Sequence, residues 1–127
     1  MLRAGELLFR ILLRISQEEQ LRQKEPLAIR AAEMIRKNAE NPEFSVSSLA
    51  PALQISGAYL RRFFREEYGM SPKQYLTRLR MEMAASLLET GFFTIREVAL
   101  RSGFVNEKYF ATAFHQHCGV PPSEYGQ

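Results

Sequence analysis

Apolar residues recur along this chain at intervals of three and four, and Val, Ile and Thr never gather into the alternating runs of a strand. The pattern predicts an all-α fold of about seven helices. Leu8, Ile11, Leu12 and Ile15 trace a stripe on a first helix, and the charged stretch QEEQLRQKE, 17–25, reads as a linker behind it. Pro26 suits the first turn of a helix that turns Ala28, Ala31, Ile35 and Ala39 inward, and Asn41-Pro42 stops it. Farther on, Leu76, Leu79, Met83 and Leu87 keep helical spacing, and Gly91 is the first breaker after Pro72. One continuous helix is therefore predicted from Pro72 to Leu88, with that stripe facing its neighbours.

A second pattern lies over the first. The motif F-x4-G-x2-P-x2-Y is written twice, as FREEYGMSPKQY from Phe64 to Tyr75 and as FHQHCGVPPSEY from Phe114 to Tyr125. Gly69 and Gly119 suit the left-handed position just past a helix end. Pro72 and Pro122 suit the first turn of the next helix, where a missing N–H costs nothing. Ser71 with Gln74 three residues on makes a capping box. Tyr75 and Tyr125 then fall one turn in, placed to pack back on the preceding helix.

The repeat extends upstream. Ala50 is followed by Leu60 and Phe64, and Ala99 by Phe110 and Phe114. Between them lie the turns Gln54-Ile55-Ser56-Gly57 and Gly103-Phe104-Val105-Asn106. A small residue, a tight turn and a bulky residue are how two short helices cross closely, the helix-turn-helix arrangement. Ser56 and Asn106 are good N-caps for the second helix of each unit, near 57–68 and 107–117. Thr94 with Glu97 reads as another capping box, opening the second unit. Pro51 falls inside the first helix of the first unit, so that helix starts late, near Ser47, or bends.

Composition narrows the function. A chain of 127 residues with a net charge of +3 is one domain's worth and favours an anionic partner. The single Cys118 excludes a disulfide framework and a cysteine-rich zinc site, and makes a reducing cytoplasm the expected location. No stretch approaches the roughly 18 uninterrupted apolar residues of a membrane span, so no membrane partner is expected. The N-terminal MLRAGELLFRILLRIS carries Arg3, Glu6, Arg10 and Arg14 and lacks a small-residue cleavage site, which argues against a signal peptide. An enzyme is discounted: there are no usefully spaced paired carboxylates, no nucleophile beside a base and no glycine-rich phosphate loop. His115 and His117 stand two apart, on different helix faces, so no metal or cofactor is expected.

The segment from about Ser45 to Tyr125 resembles the DNA-binding domain of AraC/XylS-type bacterial transcription regulators. The carriers are LAPALQISGAYLRRFFREEYGMSPKQYL and TIREVALRSGFVNEKYFATAFHQHCGVPPSEY. In the second, Ile95, Ala99, Gly103-Phe104, Tyr109-Phe110, Phe114, Gly119, Pro122 and Tyr125 follow the family signature. The resemblance implies a DNA-binding domain over 26–127, with helix-turn-helix units at about 45–69 and 94–118. A joining helix at about 71–90 spans roughly 30 Å at ~1.5 Å per residue. One turn of B-DNA is ~34 Å, so both second helices could enter successive major grooves. Residues 1–25 look like a trailing helix and linker from a sensing domain that this chain lacks, so a fragment of a longer regulator or a short stand-alone member is expected. The implied partner is double-stranded promoter DNA. RNA polymerase, and a second copy held through the stripe of the N-terminal helix, are further candidates.

The two units differ in charge. From Ser45 to Arg80 there are six basic residues (Arg61, Arg62, Arg65, Lys73, Arg78, Arg80) and two acidic ones, and from Gly91 to Gln127 three of each. The first reading helix should turn Ala58, Arg61, Arg62 and Arg65 outward, with Tyr59, Leu60, Phe63 and Phe64 toward the core. Its arginines, with Lys73, suit phosphates and guanine edges. By resemblance Asn106, Glu107, Lys108, Ala111, Thr112 and His115 occupy contacting positions of the second, although Glu107 and Ala111 depart from the family's polar or basic preference. Phe63, Phe64, Tyr109, Phe110 and Phe114 are expected in the core, and Cys118 as a packed or half-exposed thiol. The alternative reading is a helical protein-interaction module that has lost specific DNA binding and competes for partners.

Overall fold

The computed structural model describes residues 26–126, among which are six α-helices, two short 3-10 turns and no strand. The stripe of Leu8, Ile11, Leu12 and Ile15 lies outside the described residues. Helix α1 covers 26–38 and buries Ala28, Ala31, Ala32 and Ile35, with Ala39 just beyond. Small side chains on one face let it lie close against its neighbours. A 3-10 turn, Val46–Ser48, leads into α2, Leu49–Leu53. Pro51 therefore stands in the first turn of a helix that starts late, where its lack of an N–H costs no bond. Gln54, at φ 59°, turns the chain out of α2. Then follow α3, Gly57–Tyr68, and α4, Pro72–Thr90. Last come α5, Ile95–Arg101, α6, Glu107–Cys118, and a closing 3-10 turn, Pro122–Glu124.

The punctuation falls where local chemistry puts it. Gly69, Gly91 and Gly119 end α3, α4 and α6 with φ of 72°, 72° and 82°. At the start of α4 the Ser71 hydroxyl accepts the Gln74 N–H at 3.2 Å, and the Gln74 side chain accepts the Ser71 N–H at 2.9 Å. Both halves of that capping box are made. Ser71→Ala is expected to lower stability by about 1 kcal/mol, read as a lower midpoint in urea. The second box is only half made. Thr94 accepts the Glu97 N–H at 3.1 Å, but the Glu97 carboxylate takes the Thr94 hydroxyl, also at 3.1 Å. A hydroxyl that can rotate to its own N3 side chain competes with the backbone donor.

Two cores share α4. The first gathers α1, α2, α3 and the N-terminal half of α4 around Ile35, Leu49, Phe64 and Leu76. The second gathers the rest of α4 with α5 and α6 around Met81, Val98, Phe110 and Phe114. Leu79 and Met83 pack on the first core and Leu87 on the second, but the most buried side chains of α4 include Met81 and Ala84, at 1% and 0% exposure. A helix flanked by cores on different sides buries one face in its first half and another in its second, so a single stripe describes it incompletely. The repeated motif closes both cores alike. Tyr75 meets Phe64 edge-on at 5.5 Å, and Tyr125 meets Phe114 edge-on at 5.3 Å. Among the described residues no helix is long and apolar enough to cross a membrane.

Candidate nucleic-acid interface

Helix α3 is amphipathic by sequence. The Ser56 hydroxyl accepts the Tyr59 N–H at 3.1 Å and fixes its start. Leu60, Phe63 and Phe64 are buried, while Ala58, Arg61, Arg62 and Arg65 are exposed on the opposite face. Tyr59 is half-buried and meets Phe63 edge-on at 5.0 Å. The Arg62 guanidinium lies 5.7 Å from the centre of the Tyr59 ring, which steadies it on the outer face. Lys73 is exposed in the first turn of α4.

Helix α6 repeats the design with other residues. Asn106 caps it, its side-chain oxygen accepting the Tyr109 N–H at 3.0 Å. Glu107, Lys108, Thr112 and His115 are exposed, and Phe110 and Phe114 fully buried. Ala111, expected outward, is half-buried. The Thr112 hydroxyl donates to the Lys108 carbonyl at 3.1 Å. Tyr109 corrects the sequence reading: expected in the core, it is 65% exposed. It precedes Phe110 by one residue, a rotation of about 100°, which carries it off the face that Phe110 and Phe114 share. Its ring rests against Phe104 at 6.0 Å, and its outer side is free for a partner. The tell in the sequence was that Tyr, unlike Phe, has a polar tip to keep wet. Cys118 is half-buried against the second core, and burial pushes its thiol up from the ordinary value, away from the reactive thiolate.

Both helices contribute to one cleft of about 900 Å³, which α4 and the segment from Phe44 to Pro51 also line. Helix α3 lends it Gly57, Leu60 and Arg61, α6 lends Tyr109 and Ala113, and α4 lends Lys73, Thr77 and Arg80. Among the described residues no carboxylate lines it. Ala58, Arg62, Arg65, Glu107, Lys108 and Thr112 are not among its lining residues and lie on the exposed flanks of the same helices.

Two of the six cations counted in the first unit are not available to a partner in the same way. Arg78 pairs with Glu82 at 3.1 Å on the surface. Arg80 donates to backbone carbonyls of Ala39 and Asn41, and burial lowers its pKa from the ordinary value, with Tyr109 acting the other way. The free positive charge of the first unit is therefore Arg61, Arg62, Arg65 and Lys73, set against Glu66 and Glu67.

A family model described as a helix-turn-helix domain matches residues 49–127, the stretch that holds both units. The chain belongs to the AraC family. It is 44% identical over 73 residues to RhaR, an HTH-type transcriptional activator of Pectobacterium atrosepticum, a match that takes in 58% of this chain and 26% of the activator. This AraC-family chain thus spans about a quarter of that relative's length. Among solved structures it resembles the C-terminal domain of AraT, a response regulator from Geobacillus stearothermophilus, with a TM-score of 0.76 and 38% identity over 80% of this chain and 84% of that one. It also resembles the DNA-binding domain of AdpA, a global transcriptional factor solved in complex with a target DNA, with a TM-score of 0.71 and 28% identity over 78% and 88% of the two chains. The relatives named above are transcription regulators or their domains.

Proposed function

We propose that the chain is a sequence-specific DNA-binding transcription regulator that lays α3 and α6 into successive major grooves of promoter DNA. The carrying observation is that these two N-capped helices line one cleft together with α4, with Arg61 and Lys73 on it and, among the described residues, no carboxylate. The 19 residues of α4 give it a length of about 28 Å, close to one turn of the duplex at ~34 Å. The AdpA domain's capture on a target DNA supports the same use here. In this reading residues 26–127 are the DNA-binding part, and the working site is the cytoplasm. RNA polymerase and a second copy of the chain are candidate partners.

Arg62, exposed on α3 and steadied by Tyr59, is assigned a guanine edge. Arg61, Arg65 and Lys73 are assigned phosphates. On α6, Lys108, Thr112 and His115 face the groove beside Asn106 and Glu107. A duplex selected from a random pool supplies the substrate. Against it Arg62→Ala is expected to cost about 1–3 kcal/mol of binding and to relax one position of the site. Lys108→Ala and Thr112→Ala should each cost less, because α6 offers one lysine and brings Glu107 toward the same backbone. If either proves more damaging than Arg62→Ala at fixed salt, α6 is the principal reader.

The second reading is a helical protein-interaction module. The exposed Glu107 in the first turn of α6, within a segment of no net charge from Gly91 to Gln127, is what favours it. Failure of the chain to shift any random duplex at low salt would establish that reading over the first.

A further inference from the structure

The side chain of Arg80 joins three elements. From the middle of α4 its Nε donates to the Ala39 carbonyl at 2.9 Å, and a terminal nitrogen donates to the Asn41 carbonyl at 3.0 Å. Both acceptors lie just past the end of α1, where orphan carbonyls and the negative end of the helix dipole welcome a cation. The same guanidinium lies 5.9 Å from the centre of the Phe104 ring, in the turn between α5 and α6. The Ala39 carbonyl presses on that turn as well: a Cβ built on Gly103 would stand 2.3 Å from it.

These contacts cross between the two halves of the molecule. Ala39 belongs to the first core and Phe104 to the second, and the two cores share no residue. Along α4 alone, a unit packed by apolar contacts could rock about the helix, since such contacts are not directional. A planar guanidinium forked onto two carbonyls and backed by a ring fixes an angle as well as a distance. Two of its three nitrogens are thereby committed to the protein.

We propose that Arg80 is a positioning residue: it holds the α3 unit and the α6 unit at one mutual angle, and so sets the half-site spacing that the chain accepts, without touching DNA. This rests on the two-groove reading above. One added base pair moves a half-site by about 3.4 Å and turns it by about 35°, more than a rigidly held pair of helices absorbs. A lysine keeps the charge but cannot make the fork.

The test uses the 127-residue chain with arginine, lysine or methionine at position 80. Each protein is titrated against a selected duplex at native spacing, against the same duplex with one base pair inserted or deleted between the half-sites, and against a duplex carrying the first half-site alone. The unaltered chain should lose about tenfold or more for each spacing change, on the scale of a mismatched base pair. Arg80→Met should lose less than about threefold and bind the single half-site like the parent, and Arg80→Lys should fall between. A spacing penalty in Arg80→Met equal to the parent's overturns the proposal. So does an equal loss on every duplex, the single half-site included, which is what a purely structural role would give. Should Arg80→Met fail to melt cooperatively, Arg80→Lys decides by the same comparison. If the unaltered chain binds no selected duplex, the DNA reading itself fails, which is a different result from binding that ignores position 80.

Discussion

Replacing Gly103 with alanine is expected to destabilise the fold by about 2–5 kcal/mol, from two separable causes. The first is conformational: Gly103 sits at φ 91°, where a Cβ meets its own backbone, and an alanine there costs roughly 1–2 kcal/mol. The second is contact. The new Cβ would stand 2.3 Å from the Ala39 carbonyl oxygen and 2.7 Å from Arg80 Nε. Neither neighbour gives way cheaply, since the carbonyl is backbone and the guanidinium is held at both ends. Forcing them apart costs about 1–3 kcal/mol, as overpacking does elsewhere. Gly69→Ala separates the two causes. Gly69 has a φ of 72°, but among the described residues nothing lies within 4 Å of its Cβ position, so it should show the conformational cost alone. Urea melts of the two variants check this. Equal shifts would mean that the end of α1 does not press on the turn before α6.

The punctuation of this fold was legible in the sequence because each mark has a local cause. A glycine past a helix end, a proline at the next start and a serine with Gln three residues on need no knowledge of the distant chain. The twice-written motif showed that two such units stand in series, and the Phe64–Tyr75 and Phe114–Tyr125 contacts follow from it. What was not legible depends on where a side chain goes in three dimensions. Arg80 counts as free charge in any linear tally, yet its acceptors are 41 and 39 residues earlier. Tyr109 shares its type with core aromatics but stands one residue off their face. Met81 and Ala84 were missed because α4 serves two cores, and a single periodic stripe assumes one. The candidate site was readable as a set of outward residues on α3 and α6. That both helices lend residues to a common cleft was not, since it depends on the angle between units that spacing alone does not give.

Raising salt from 50 to 200 mM is expected to weaken DNA binding by about 150-fold. Arg61, Arg62, Arg65, Lys73 and Lys108 are the exposed cations on and beside the two helices that border the cleft. If each of them except Arg62, which is assigned a base edge, displaces one counterion from the duplex, the logarithm of the binding constant falls with a slope of about −3.6 against log salt. Arg65→Ala should make that slope shallower by about one and weaken all sequences alike, as a phosphate contact does. Arg80→Met should leave the slope where it was, because that guanidinium is held by the Ala39 and Asn41 carbonyls rather than by DNA. Arg78→Ala should change it little, since Arg78 already faces Glu82 at 3.1 Å and an exposed pair of this kind is screened by the same salt. A fluorescence-anisotropy titration of one selected duplex at four salt concentrations measures all of these. A slope near zero would remove the phosphate contacts altogether, and with them the use of α3 as a DNA reader, leaving the exposed faces of α3 and α6 to a protein partner.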